Sequence, residues 1–294
     1  SRSTHETGPQ LLAPSFGARL ENAFASRGHL CVGIDPHAAL LADWGLDDNV
    51  AGLRAFGLGV LEAAVGRVGI IKPQVSFFER HGSAGFAVLE EIAREAANTD
   101  LLVVMDAKRG DIGTTMDGYF DAWLAQDAPF ICDALTVSPY LGFDSLAGVM
   151  SQCQDLGKGL FVLAATSNPE GKSLQTAKTP NGPLAADIWQ RLARVNSVTG
   201  TAPGALGSFG AVVGATLDLR AFGIDFGGAA QATPILAPGF GAQGAELSDA
   251  GTLFAGAQRQ LVASVSRSVL SAGPNGIAVA IERSAKELAH ALDE

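Results

Sequence analysis

A chain of 294 residues, 47% hydrophobic and 17% charged, can bury a substantial core as one large domain or two small ones. Its net charge of -10 argues against nucleic acid, which needs a basic surface to displace counterions, but allows an anionic small molecule where cations are focused in one cleft. Cys31, Cys132 and Cys153 form an odd set without C-x-x-C spacing, which predicts small buried thiols in a reducing, cytoplasmic setting and no zinc site.

The first residues, 1–14, are polar, lack an apolar signal region and read as a flexible tail, with the folded domain expected over 15–294. No apolar run reaches about 18 residues, so no membrane partner is expected. SFGARLENAFASRG has apolar residues at helical spacing, and HLCVGIDP is a short apolar run closed by Asp35-Pro36. A helix over 49–65 precedes GIIKPQVSFFE, whose apolar run is closed by Lys72-Pro73. The alternation continues through a helix over 83–98, an apolar run from residue 101, and helices over 114–126, 143–156, 184–198, 246–259 and 275–292. Strands are expected at 29–35, 69–75, 101–106, 132–138, 159–165, 210–215, 234–238 and 261–267. The segment after Thr216 offers only a weak helix, DLRAFG. Repeated strand–helix units imply a parallel sheet with right-handed crossovers, and eight of them at this length predict an α/β fold closed as a (β/α)8 TIM barrel. An open doubly wound sheet is the alternative, although no G-x-G-x-x-G follows the first strand. Residues 168–183 are a long Gly-, Pro- and Thr-rich insertion, expected to be a lid, and 200–208 reads as a plain connector.

The chemistry concentrates in LLVVMDAKRGDIGTT, 101–115. A strand buried on both faces ends in Asp106, Lys108 and Asp111, with Gly110 expected to let the chain turn and Asp111 to fall in the loop before the next helix. Alternation along a strand predicts that Asp106 and Lys108 project together. Burying charge costs several kcal/mol without partners, so this strand end is a candidate site. The plainer reading is a structural salt bridge from Lys108 to Asp106 or Asp111, with Asp111 capping the following helix. In a barrel the strands' carboxyl ends converge. These ends also carry Asp35, Lys72, Ser138, Thr166 with Ser167, Thr216, the loop PGFGAQG and Arg267. The glycine-rich loop offers amides to phosphate oxygens, and Arg267 adds a permanent bidentate cation.

DAKRGDI at 106–112 resembles the Asp-x-Lys-x-x-Asp motif of the orotidine 5′-monophosphate decarboxylase family, which completes de novo UMP synthesis. VGIDP (32–36), IIKPQ (70–74), AATSNPEG (164–171), APGFGAQG (237–244) and SVSRSVL (264–270) fall where that family keeps its other site segments. The resemblance covers about residues 29–270 and is nearest the longer bacterial branch, in which the second strand carries Lys-Pro. It implies a cofactor-free lyase that binds a nucleotide and needs no metal. By resemblance, Asp35 and Lys72 hold the ribose, with Lys72 also in a Lys–Asp–Lys–Asp network. Asp106 faces the substrate carboxylate and Lys108 is the proton donor. Asp111 and Thr115 reach into the neighbouring subunit's site, making a homodimer. Ser167, with Thr166 as fallback, contacts the pyrimidine, and Gly241, Gln243 and Arg267 take the phosphate region. Two rival readings are a magnesium-dependent sugar-phosphate decarboxylase or aldolase of the same superfamily, disfavoured by Lys72 in place of an acid, and a non-catalytic barrel that binds a phosphorylated ligand.

Overall fold

The computed structural model describes residues 13–200 and 202–293; most of the expected N-terminal tail lies outside them. Eight parallel strands close into a barrel: β1 (Leu30–Ile34), β2 (Ile70–Pro73), β3 (Leu102–Arg109), β4 (Ala134–Val137), β5 (Gly159–Ala165), β6 (Phe209–Val213), β7 (Ile235–Phe240) and β8 (Leu261–Val265). Each strand hydrogen-bonds its neighbours in chain order, and β1 pairs with β8 to complete the ring. All eight expected strands are present, and the open-sheet alternative is set aside.

Period-two alternation sorts the strand residues into two cores. Outward-facing Val32, Ile71, Val103, Met105, Leu135, Val137, Leu160 and Val162 pack under the surrounding helices. The inner face carries Cys31, Ile70, Leu102, Val104, Ala134, Phe161, Val212, Leu236 and Val262. This inner core fills the amino-terminal half of the barrel. The helix Phe16–Arg27 seals its end with Phe16, Leu20 and Ala23, and the Phe16 ring meets Phe161 edge-on at 6.0 Å. Ser15 caps that helix by accepting a hydrogen bond from the Ala18 amide, and Gly28, at φ 82°, ends it. The connector 200–208 is more than a passage: its Leu206 is buried, and the Leu206 amide donates to Glu21 on the sealing helix.

Most expected helices are found, among them Val50–Ala64, Gly82–Ala97, Gly113–Trp123, Ala147–Leu156, Leu184–Thr199 and Gly273–Asp293. Two expectations fail. DLRAFG forms turns, followed by a 3-10 turn at Gly228–Ala232, and 246–259 is broken into Leu247–Asp249, Ala250–Leu253 and Gln258–Gln260. Helical spacing was present there, but Gly256 takes φ 85°, and Gly251 lies so close to the C-terminal helix that a Cβ would meet Ala291 O at 2.3 Å. The 168–183 insertion is folded, with turns at Pro169–Gly171 and Lys172–Gln175 and a two-stranded hairpin pairing Lys178–Thr179 with Gly182–Pro183.

Among the described residues no helix is long and apolar enough to cross a membrane. All three cysteines are free and buried. Because Phe16 is fully buried at the barrel's amino end, Phe16→Ala is expected to cost about 3–5 kcal/mol. Urea unfolding measures this, and a loss below about 1 kcal/mol would show that the seal is not part of the core.

Candidate active site

The inner face turns from apolar to polar on approaching the carboxyl ends of the strands. Two residues beyond Ile70 stands Lys72; beyond Val104, Asp106; beyond Ala134, Thr136; beyond Val262, Ser264. On β1 the stripe runs Cys31, Gly33, Asp35, and Gly33 must lack a side chain, since a Cβ would lie 2.1 Å from Ser266 Oγ and 2.6 Å from Asp35 Oδ1. These residues floor a cavity of about 430 Å3 whose rim includes His37, Gln74, Ser167, Gln243, Ser266 and Arg267. That volume suits a small organic ligand.

At its centre lies Asp106, with a side chain only 10% exposed. Its Oδ2 accepts from Lys72 Nζ at 3.3 Å, and its Oδ1 accepts from Lys108 Nζ at 2.6 Å and from Thr136 Oγ1 at 2.9 Å. Burial alone would raise the Asp106 pKa, but the two ammonium groups and these hydrogen bonds outweigh it and hold the carboxyl at about 2. Lys72 is buried, which alone would lower its pKa, yet Asp106 and Asp35 hold it above the usual lysine range. Burial raises Asp35, opposed by Lys72 and by a hydrogen bond from Ser266 Oγ at 3.1 Å. The Cys31 thiol beneath is pushed up to about 12 by burial and is inert packing.

Asp106 and Lys108 do meet, but not through plain alternation. The β3–β4 pairing runs from Met105 opposite Leu135 to Arg109 opposite Val137, so four steps on one strand match two on the other. Within this bulge Lys108 takes φ 52°, the one positive φ at a non-glycine among the described residues. Such a conformation costs roughly 1–3 kcal/mol and persists only where its surroundings enforce it. Gly110, expected to make the turn, instead allows a close approach: a Cβ there would lie 2.6 Å from Ser138 O.

Asp111 does not cap the next helix. That helix begins after Ile112 with no side-chain cap, and Asp111 Oδ1 accepts only from the Ile112 amide. Asp111 and the exposed Thr115 both lie outside the cavity of their own chain. Thr166 lines the cavity but is engaged: its amide donates to Gln175 Oε1 at 2.8 Å, while its hydroxyl donates to Asn168 Oδ1 at 2.6 Å and accepts from Gln175 Nε2 at 2.7 Å. The adjacent Ser167 hydroxyl has no such bonds and is open to a ligand. In the glycine-rich loop, the Gly241 amide donates to Ala245 O at 2.7 Å and is not available to an anion. The cavity is lined there by Ala242 and Gln243 instead. Arg267 stands opposite, exposed at the rim and in no ion pair among the described residues. Ser138 follows the end of β4 and lies outside this cavity, and Thr216 is not among its lining residues.

Sequence reasoning missed Thr136, Ser266, Gln74 and His37. Parity would have found two of them, since Thr136 and Gln74 share the inward stripe with Ala134 and Lys72.

A closed eightfold barrel with a buried lysine–carboxylate network and a glycine loop facing an unpaired arginine defines a barrel enzyme acting on an anionic, phosphorylated small molecule. Residues 28–281 match the model of the orotidine 5′-phosphate decarboxylase / HUMPS family, and the chain belongs to that family. The orotidine 5′-phosphate decarboxylase of Streptomyces coelicolor is 52% identical over 94% of this chain and 98% of its own length. That of Nocardioides sp. is 49% identical over 87% and 91%. Among solved structures, a Streptomyces avermitilis protein assigned the same activity superposes with a TM-score of 0.90 at 49% identity, covering 99% of this chain and 100% of that one.

Because the folded-state pKa of Asp106 lies below its unfolded value, its contribution to stability is complete above the ordinary aspartate range and is lost as pH falls through about 2. The stability gap between the wild type and Asp106→Asn should therefore shrink by about 2 kcal/mol on acidification from about pH 5. Urea unfolding across that range measures it, and a pH-independent gap would show that the ion pairs do not hold the carboxylate.

Proposed function

We propose that this chain decarboxylates orotidine 5′-monophosphate to UMP and CO2, with Lys108 protonating C6 and without a metal or organic cofactor. The observation that carries this reading is the Lys72–Asp106–Lys108 network at the floor of a cavity whose rim presents Arg267.

Phosphate would sit between the Ala242–Gln243 amides, the Gln243 side chain and the Arg267 guanidinium, where a permanent cation gives bidentate contacts. Asp35 and Lys72 face the ribose hydroxyls, and the open Ser167 hydroxyl faces the pyrimidine edge. The orotate carboxylate then lies against Asp106. Two like charges about 4 Å apart repel by roughly 4 kcal/mol at an effective dielectric of 20. The repulsion is relieved as the C6–carboxylate bond breaks and CO2 departs. The bonding electron pair stays on C6, where no adjacent carbonyl delocalises it. The Lys108 ammonium, fixed by Asp106 at 2.6 Å, faces that charge and delivers its proton to C6. Solvent reprotonates the amine, whose side chain is 46% exposed. Relief of repulsion is too small to account for catalysis alone, since large enzymatic accelerations require up to about 20 kcal/mol. Preorganised charge and phosphate-binding energy expressed in the transition state carry the remainder.

The metal-dependent rival meets an obstacle in the donor set: where a carboxylate would join Asp106 in holding a divalent cation, Lys72 already places a positive charge 3.3 Å from Asp106. The intact network likewise disfavours a silent binding barrel.

Asp111 and Thr115, outside their own cavity, would complete the site of a second copy. Exposed apolar side chains in the loops after β3 and β4 support a homodimer with shared sites: Ile112 is 59%, Tyr140 75% and Leu141 54% exposed. The folded insertion at 168–183 is tied to the site through Gln175 and Thr166, and Asn168 lines the cavity. Residues 15–294 act as one barrel domain.

Lys108→Ala is expected to abolish UMP formation, by about 10^4-fold, while circular dichroism shows the fold retained. Arg267→Ala should lower kcat/KM by about tenfold to a hundredfold for loss of one charged phosphate contact, with KM raised and kcat lowered together. An Arg267→Ala enzyme with unchanged kcat/KM would move the phosphate elsewhere. Mixing inactive Lys108→Ala and Asp111→Ala subunits should restore activity, because each mixed dimer holds one site with neither defect. Failure of mixed dimers to regain activity would contradict the shared site.

A further inference from the structure

We infer that Thr136 is a positioning residue for this reaction: its hydroxyl locks the Asp106 carboxylate to the bulged backbone of Lys108 and so sets where the Lys108 ammonium points. The inference rests on the decarboxylase reading of the site. Thr136 stands on the inner face of β4, 1% exposed, with its side chain at the cavity floor. One oxygen serves two partners. Thr136 Oγ1 donates to Asp106 Oδ1 at 2.9 Å and accepts from the Lys108 amide at 3.0 Å.

Both bonds follow from the slip in register. Between Met105 and Arg109, β3 holds two more residues than β4 can pair, so the Lys108 amide has no ladder carbonyl to meet. The ladder resumes beyond the bulge, where the Ser138 amide donates to Arg109 O at 2.8 Å. Thr136 fills the gap with a side-chain acceptor, which satisfies a backbone donor in a conformation that L residues rarely adopt. The hydroxyl's single proton is then directed to Asp106.

The geometry therefore closes a ring: Lys108 amide to Thr136 oxygen, Thr136 proton to Asp106 Oδ1, and Asp106 Oδ1 to Lys108 Nζ. A long, flexible lysine side chain is anchored at both its root and its tip through one threonine. Without the hydroxyl, Asp106 keeps Lys72 and Lys108 as partners but gains freedom to rotate, and the Lys108 amide is left unpaired. A β-branched residue at this position for strand packing alone would need only the methyl group and the shape.

That difference is testable with an isostere. Thr136→Val keeps the shape and removes the hydroxyl, and Thr136→Ser keeps the hydroxyl and removes the methyl. In steady-state assays with orotidine 5′-monophosphate, Thr136→Val should lower kcat by about 10- to 100-fold with little change in KM, as expected for a displaced reacting group. Thr136→Ser should recover most of kcat. Wild-type kcat in the valine variant, or equal losses in valine and serine variants, overturns the inference while an active wild type leaves the decarboxylase reading standing. An inactive wild type overturns that reading and this inference with it. Should Thr136→Val fail to fold, amide hydrogen exchange in the wild type decides: the Lys108 amide should be protected, and exchange at the rate of an unbonded amide overturns the proposal.

Discussion

Everything at the barrel's mouth depends on one ion cluster, Lys72–Asp106–Lys108, buried at Lys72 and Asp106 and reaching solvent at Lys108. An isolated charge in such a place would neutralise itself or unfold its surroundings, because desolvation costs several kcal/mol for each ion. Here the carboxylate is flanked by two ammonium groups and a hydroxyl, and the balance falls on the side of charge: Asp106 is held at about 2 and Lys72 above the usual lysine range. A cluster in this state is already polarised before substrate arrives. Its dipoles need no reorganisation when negative charge appears on a neighbouring atom, which is the property that electrostatic catalysis requires.

The barrel supplies the rigidity. Its inner face is a continuous apolar plug from the sealing helix up to Val104 and Phe161, and the polar layer is the next turn of the same stripe. The site therefore rests on close-packed core and has no flexible loop beneath it. Irregularities are confined to the carboxyl ends: register shifts occur in the β3–β4, β5–β6 and β7–β8 pairings, each near the strand end that contributes to the cavity. Bulges re-aim side chains locally and leave the ring closed. The strain at Lys108 belongs to the same pattern, stored in one residue and restrained by Thr136 and the resumed β4 ladder.

Much of this was legible in the sequence. Eight apolar runs alternating with helical stretches predicted the closed barrel, because strands buried on both faces need helices outside them. Asp35, Lys72, Asp106, Lys108 and Arg267 could be placed at one rim from their positions at strand ends. The pairing of Asp106 with Lys108 was expected from alternation, but a two-residue bulge produces it, and no local pattern announces a slip that depends on the partner strand. Thr136 was passed over for Ser138 because a polar residue outside the final strand position carries no signal until parity with Asp106 is considered. The glycine-rich loop was expected to offer its amides and the family resemblance put Gly241 in the phosphate region, whereas the Gly241 amide is taken by Ala245 within the same loop. The helix expected over 246–259 had the right spacing, but the chain leaves it after Leu253 and Gly256 takes φ 85°.

The most direct test of the central claim is turnover of orotidine 5′-monophosphate in D2O by the purified protein in excess EDTA, with the product followed by NMR and mass spectrometry. A lysine ammonium that meets a carbanion at C6 predicts undiminished turnover and UMP carrying one deuterium at C6. Loss of turnover on chelation with recovery on adding Mg2+, or no decarboxylation at all, would contradict it.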